Sequence, residues 1–177
     1  MARRPRPYSE QDFEDVQDGR ASKSEQKRHV QRMAALAEQL AALPKKQIQK
    51  LPVDERLIDA FLELESISSF EARRRQFQRI GKLLRTEDET MLLSFLVPKQ
   101  GAKKQAQLLR WVDRVIEQGD PAINEFCKLY QAADRHTLRQ HVLRYQRDTQ
   151  KQIDEEELAK LRQNIVNYVQ QVALISE

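Results

Sequence analysis

The sequence predicts an all-α protein, a bundle of about six or seven helices, and three observations carry that prediction. Four glycines and 6% aromatic residues in 177 leave little material for tight hairpins or pleated strands. The apolar residues recur at three and four positions between charged ones, which is the period of a helix face. Ser, Thr or Asp stands ahead of acidic residues just before several of those apolar runs, as helix starts require.

At 177 residues the chain has the usual length of one domain, with room for an appendage, and can bury a core without staples. Its one cysteine, Cys127, excludes an internal disulfide framework and agrees with a reducing compartment. With Phe126 and Leu129 beside it, Cys127 reads as a buried structural thiol rather than a nucleophile. No apolar run approaches the ~18 residues needed to span a bilayer. Met1-Ala2-Arg3-Arg4-Pro5 leads into polar residues, not into a signal-peptide core. A soluble, cytoplasmic protein with no membrane contact is therefore expected.

Residues 1–21 mix Arg, Pro and acids with little apolar periodicity, and are expected to be disordered unless bound. Ser22 and Glu25 have capping-box spacing, and Val30, Met33, Ala37 and Leu40 then mark an amphipathic helix ending before Pro44. Its polar side carries Lys23, Lys27, Arg28 and Arg32. Pro44 and Pro52 bracket Lys45 to Lys50, enough for one or two turns. Asp54 then caps a helical stretch from Glu55 towards Arg85. Its apolar face moves from Leu57, Ile58, Phe61, Leu62 and Leu64 to a different side, so a bend, a break or a change of packing partner is expected around Ser66 to Ser69.

Thr86 to Glu89 is a second capping box, opening a short helix with Met91, Leu92, Phe95 and Leu96 inward and a stop near Val97-Pro98. After Gly101, Ala106, Leu109, Val112, Val115 and Ile116 mark a helix ending at Gln118-Gly119. Asp120-Pro121 restarts the chain with a cap and a first-turn proline, and Ile123, Phe126, Cys127 and Tyr130 follow. Asp134 caps the next helix, with Leu138, Val142 and Tyr145 inward and Arg135, Arg139, Arg144 and Arg147 outside. The last helix starts at Asp154 to Glu157, whose charge suits the positive helix end. Its stripe of Leu158, Leu161, Ile165, Tyr168, Val172 and Ile175 can pack in its own bundle, the favoured reading, or against a partner. No repeat points to a solenoid. Two lobes, 22–97 and 98–177, with a long helix joining them, and one compact bundle both satisfy these spacings.

The stretch from Glu71 to Arg85 holds six cations and one acid, Glu71. At about 100° per residue with Arg73 at zero, Ile80, Leu84, Phe77 and Phe70 fall between about 340° and 60°. Arg74, Arg85, Lys82, Arg75 and Arg79 fall between about 100° and 240°. One face packs and the other presents five cations, a surface suited to phosphate because Arg binds it bidentately and stacks on bases. A solvated helix face is the plainer reading. Arg73 is the misfit, a charge on the apolar side that must bend out, pair with an acid or mark an interruption.

Catalytic signatures are missing. Gly19, Gly81, Gly101 and Gly119 are isolated, so there is no phosphate loop. His136 and His141 lie about 140° apart on a helix, and with one cysteine and His29 remote no zinc framework forms. Glu155, Glu156 and Glu157 point apart and read as dipole partners. Neither a cofactor nor an enzymatic activity is expected.

Four pieces of the sequence, taken in order, resemble the dual-action ribosomal maturation protein family, DarP. They are Ser22-Lys23-Ser24-Glu25-x-Lys27-Arg28, Leu51-Pro52, Arg73-Arg74-Arg75-Gln76 with Ile80-Gly81-Lys82 and Arg85, and Ala133-Asp134-Arg135 with Leu138-Arg139. The likeness spans Ser22 to Tyr145, and the Arg73 to Lys82 run is its most specific part. It implies an all-helical factor of the cytoplasm that binds 23S rRNA in late pre-50S particles and helps the peptidyl transferase centre mature. Such a factor needs no catalytic group and works as an RNA clamp, beside other assembly factors and as a monomer off the ribosome. The expected rRNA contacts are Arg74, Arg75, Arg79, Lys82 and Arg85, with Lys23, Lys27 and Arg28 as a second patch. The alternative is a helical protein-interaction module acting through the stripe from Leu158 to Ile175.

Overall fold

The structure, a computed structural model, describes residues 23–96 and 101–176. The described residues form helices joined by short connections, with no strand among them. In chain order they are α1 (Lys23–Ala41), α2 (Lys45–Ile48), α3 (Glu55–Glu63), α4 (Phe70–Leu84), α5 (Glu89–Leu96), α6 (Ala102–Gln118), α7 (Asp120–Leu129), α8 (Arg135–Gln150) and α9 (Glu155–Ile175). The all-α expectation holds. The number exceeds six or seven because the one-turn α2 forms and because the span from Glu55 to Arg85 is two helices. A 3-10 turn over Leu64–Ser66 and an extended Ile67 separate α3 from α4. The break falls where the apolar face changes side, so each helix keeps its own face on the core. The expected tail over residues 1–21, the cap at Ser22 and the stop at Val97-Pro98 lie outside the described residues.

Several starts follow the sequence. The Asp54 side chain accepts from the Arg56 amide at 2.8 Å, and Asp134 Oδ1 accepts from the Thr137 amide and hydroxyl, both at 2.8 Å. Others are built differently. At α5 the cap is Asp88, whose Oδ1 accepts from the Met91 amide at 3.1 Å. Thr86 instead donates its hydroxyl to the Leu83 carbonyl at 2.7 Å, and the Glu87 carboxylate accepts the Asp54 amide at 3.2 Å. Asp120 is the first residue of α7 and not its cap. The cap position falls to Gly119, whose φ of 64° and ψ of −136° lie where only glycine rests without strain. Asp154 makes no side-chain capping bond to α9.

Two apolar cores result. The first gathers Met33, Leu36 and Leu40 of α1, Leu57 and Phe61 of α3, Ile80 and Leu84 of α4, and Leu92 and Leu96 of α5. The second joins Leu108, Trp111 and Val115 of α6, Ile123 and Phe126 of α7, Leu138 and Val142 of α8, and the buried half of α9. Trp111 meets Phe126 edge-on at 5.6 Å between ring centroids. Each fully buried Leu, Ile or Phe contributes roughly 1.5–3 kcal/mol relative to exposure.

The apolar faces shift from expectation in five helices, the first being α1, where Val30 is 44% exposed and Leu36 is buried instead. Phe70 is 79% exposed because α4 begins there, before the helix reaches the core. Met91 is 53% exposed and Leu93 is buried in its place. In α6, Leu109 turns partly outward while Leu108 and Trp111 turn in. In α9, Ile165 to Ala173 are buried without interruption, so this half of the helix is enclosed on all sides and not packed along one stripe, while Glu155 to Asn164 stay partly or fully exposed. That enclosure arises because α9 packs against α1, α5, α6 and α8 together. Its last turn, Leu174 and Ile175, reaches the first core.

Candidate nucleic-acid interface

The Arg-Arg-Arg-Gln tetrad divides its labour between fold and surface. Gln76 is buried and its Nε2 donates to the Ala60 carbonyl and to Glu63 Oε2, both at 2.8 Å. Arg79 Nη1 donates to the same Glu63 oxygen at 3.1 Å. Arg73, the misfit of the helical projection, turns its Nη1 to the Leu64 carbonyl at 3.0 Å and lays its guanidinium over Phe77 at 5.7 Å. A cation there answers the unsatisfied carbonyls and the negative dipole end of α3. Arg73 and Gln76 therefore fasten α4 to the preceding helix.

Arg74 and Arg75 face outward. Arg74 reaches Glu71 at 3.5 Å, an exposed pair one turn apart that contributes little. Arg75 and Lys82 are exposed, and neither makes a hydrogen bond or ion pair among the described residues. Arg85, which caps the C-terminus of α4, donates Nε to the Gly81 carbonyl at 3.2 Å. From Arg74 to Arg85 the cations cover about 16 Å of helix.

The second expected patch lies on α1. Arg28 is half-buried in an ion pair with Asp134 at 3.3 Å, tying α1 to the start of α8, so a second charge already holds its guanidinium. Lys23 and Lys27 remain exposed and line a cleft of about 680 Å³ between α1, α8 and α9. Arg85 lines the same cleft, as do Arg32, His29, Thr137, His141, Arg144, Asn164, Tyr168 and Gln171. The fold thus brings Lys23, Lys27 and Arg85 together from two patches distant in sequence. Arg74, Arg75, Arg79 and Lys82 lie outside the cleft wall, along α4.

The cleft also contains residues that sequence reasoning left out of the site. Arg32 donates Nε to Gln171 Oε1 at 3.2 Å and stacks its guanidinium on Tyr168 at 4.9 Å. The Tyr168 hydroxyl accepts the Asp134 amide at 2.7 Å and donates to the Asp134 carbonyl at 3.2 Å. Arg32 was legible as one of the cations on the polar side of α1, beside Lys23, Lys27 and Arg28, but not as a contact of the site. Arg144 read simply as outward, whereas Arg147, expected outward too, pairs with Asp148 at 2.8 Å with side chains only 14% and 15% exposed.

Charge in the cleft is one-sided. Lys23, Lys27, Arg32, Arg85 and Arg144 face two acids, Glu25 and Glu89. Burial, then the charges of Arg144 and Arg32, lowers the His141 imidazole from 6.5 to about 4. Burial also lowers His29, helped by Arg32 and Arg85 and opposed by Glu25. Burial raises Glu89, against the pull of Arg32. Tyr168 is pushed up to about 12, mainly by burial. At neutral pH the site therefore offers fixed guanidinium and ammonium charge beside uncharged imidazole and amide groups. Such a set holds phosphate and hydrogen-bonds to nucleobases.

Cys127 is half-buried beside the second core, and burial raises its thiol, contrary to what a nucleophile needs. No group of three His, Cys, Asp or Glu among the described residues could hold a metal, and no described helix is long and apolar enough to cross a membrane.

The sequence model of the family described as dual-action ribosomal maturation protein DarP matches residues 19–170. A protein of that name from Vibrio parahaemolyticus is 40% identical over 126 residues, covering 67% of this chain and 70% of the relative. One from Xylella fastidiosa is 36% identical over 127 residues, covering 67% and 69%. One from Erwinia tasmaniensis is 34% identical over 167 residues, covering 92% and 90%.

Proposed function

The chain belongs to the dual-action ribosomal maturation protein family, and from that membership we propose that it binds 23S rRNA in late pre-50S particles as a non-catalytic clamp. It is a ribosomal maturation protein by family. The finer reading is that it acts in the cytoplasm, arrives as a monomer, and favours the mature arrangement of the peptidyl transferase centre. Residues 22–97 and 98–177 serve as the two lobes of the clamp, with the cleft at their junction.

One observation carries this reading. The exposed cations of α4 lead along one helix to Arg85, which opens into a cleft where five cations face two acids. Phosphate contacts of this kind position an RNA without reading its sequence. A clamp that binds one RNA arrangement more tightly shifts its population by the difference in affinity, and about 1.4 kcal/mol changes the ratio tenfold. No proton transfer or nucleophile is required.

The interaction-module reading, which relies on the stripe from Leu158 to Ile175, is weakened, since Ile165, Tyr168 and Val172 in its middle are buried within the chain while Leu158, Leu161 and Ile175 are only partly buried. The test is co-sedimentation with pre-50S particles. Arg75→Glu combined with Lys82→Glu should abolish it at physiological salt while leaving helicity intact, because neither side chain has a partner among the described residues. Wild-type affinity should fall by roughly 0.7–0.9 log units per phosphate contact for each log unit of salt. Undiminished association of the double variant overturns the proposal.

A further inference from the structure

The cleft is built differently from the helix face beside it. A basic ridge such as α4 lies along a phosphate backbone, whereas a concave site encloses something. Its volume, about 680 Å³, lies within the roughly 300–1,000 Å³ of sites that enclose a small molecule. Its charge is in the wall as well as at the rim. Arg32 forms no ion pair among the described residues, and its Nη1 is buried without a hydrogen-bond acceptor. A guanidinium held in that state is costly, and an anion bound nearby offsets the cost.

We propose that this cleft receives a single unstacked nucleotide of the RNA, its phosphate attracted by Arg32, Arg85 and Arg144 and its base edge met by Asn164 and the imidazole of His29. The inference rests on the RNA-binding reading above and adds the unit recognised. Duplex RNA offers a shallow minor groove and a phosphate surface, while sequence is read from bases splayed out of loops and bulges. Only the second kind of ligand fills a pocket with both a phosphate end and an amide lining. The Asn164 amide is exposed and makes no hydrogen bond among the described residues, so both its donor and its acceptor are available. A neutral imidazole likewise offers one of each, which a protonated ring does not. An unpaired base costs least to extrude where the RNA has not yet settled into its final pairing, which is the state of a maturing particle.

The test uses the full chain on late pre-50S particles. A photoreactive side chain placed at Asn164 should crosslink to one nucleotide, while one placed at Arg75 should crosslink along a helix backbone. Asn164→Phe, which fills the cleft mouth, and Asn164→Asp, which adds a charge, should each weaken particle binding at least tenfold without lowering the melting temperature. If the wild type does not bind particles, the RNA-binding reading fails and takes this inference with it. If the wild type binds, Arg75→Glu with Lys82→Glu does not, and both Asn164 variants bind normally, the inference alone is overturned. Crosslinks from position 164 spread over a continuous duplex overturn it as well. Tight binding of free nucleoside monophosphates that survives saturation with particles assigns the cleft to a free nucleotide and likewise refutes it.

Discussion

His141 should make the protein acid-sensitive by an amount that follows from its surroundings. Its ring sits on α8 against Tyr168 of α9 at 5.7 Å, with Arg144 on its own helix and Arg32 on α1 as the nearby charges. The folded protein keeps the imidazole neutral down to about pH 4, whereas the unfolded chain protonates it near 6.5. The unfolded state therefore binds the proton first as pH falls, so this contribution is complete above the unfolded value and shrinks below it. Between pH 7 and pH 4.5 the loss is roughly 2 kcal/mol. Glu89 works in the opposite sense, because its raised folded value stabilises at low pH and that gain fades as pH rises. Its contribution is common to wild type and variant and cancels in their difference. The perturbation is His141→Gln, which keeps a polar side chain of similar size that does not titrate. Urea unfolding followed by circular dichroism at several pH values gives both stabilities. The variant should lose roughly 2 kcal/mol less than wild type over that interval, whatever its stability at pH 7. Parallel pH profiles would refute the buried, neutral imidazole.

Other substitutions separate fold from surface. Gln76→Ala removes one bond to a carbonyl and one to a carboxylate, and should cost roughly 2–4 kcal/mol in urea unfolding. Arg73→Ala removes the bond to the Leu64 carbonyl and should cost roughly 1 kcal/mol while leaving the salt dependence of particle binding unchanged. Arg75→Ala should do the reverse, leaving stability within about 0.5 kcal/mol and reducing the salt slope by about one contact.

The helical class, the order of elements and most boundaries were legible because they depend on local signals. Apolar spacing placed α1, and Asp54 and Asp134 cap as their spacing implies. What local signals miss is competition between neighbouring groups. Thr86 and Asp88 both stand where a cap can form, and Asp88 prevails because it alone is adjacent to the first helical residue. Projection of α4 onto a circle separated its faces correctly from Phe77 onward, yet counted Phe70 as core because a circle has no ends. Arg73 looked anomalous on that circle, since the carbonyl it binds belongs to another helix. The cleft was illegible for the same reason: its cations come from α1, α4 and α8, and the projection of each helix alone gives no hint that they converge.

The position of α9 bears on when the protein becomes competent. Its residues line the cleft, fill the second core and, through Leu174 and Ile175, close the first. Translation delivers that helix after every element it organises. A nascent chain halted before residue 155 leaves α1 and α5 with an uncovered flank and has only part of the cleft wall. Both cores and the cleft wall are thereby completed together, and only once the last helix has been added.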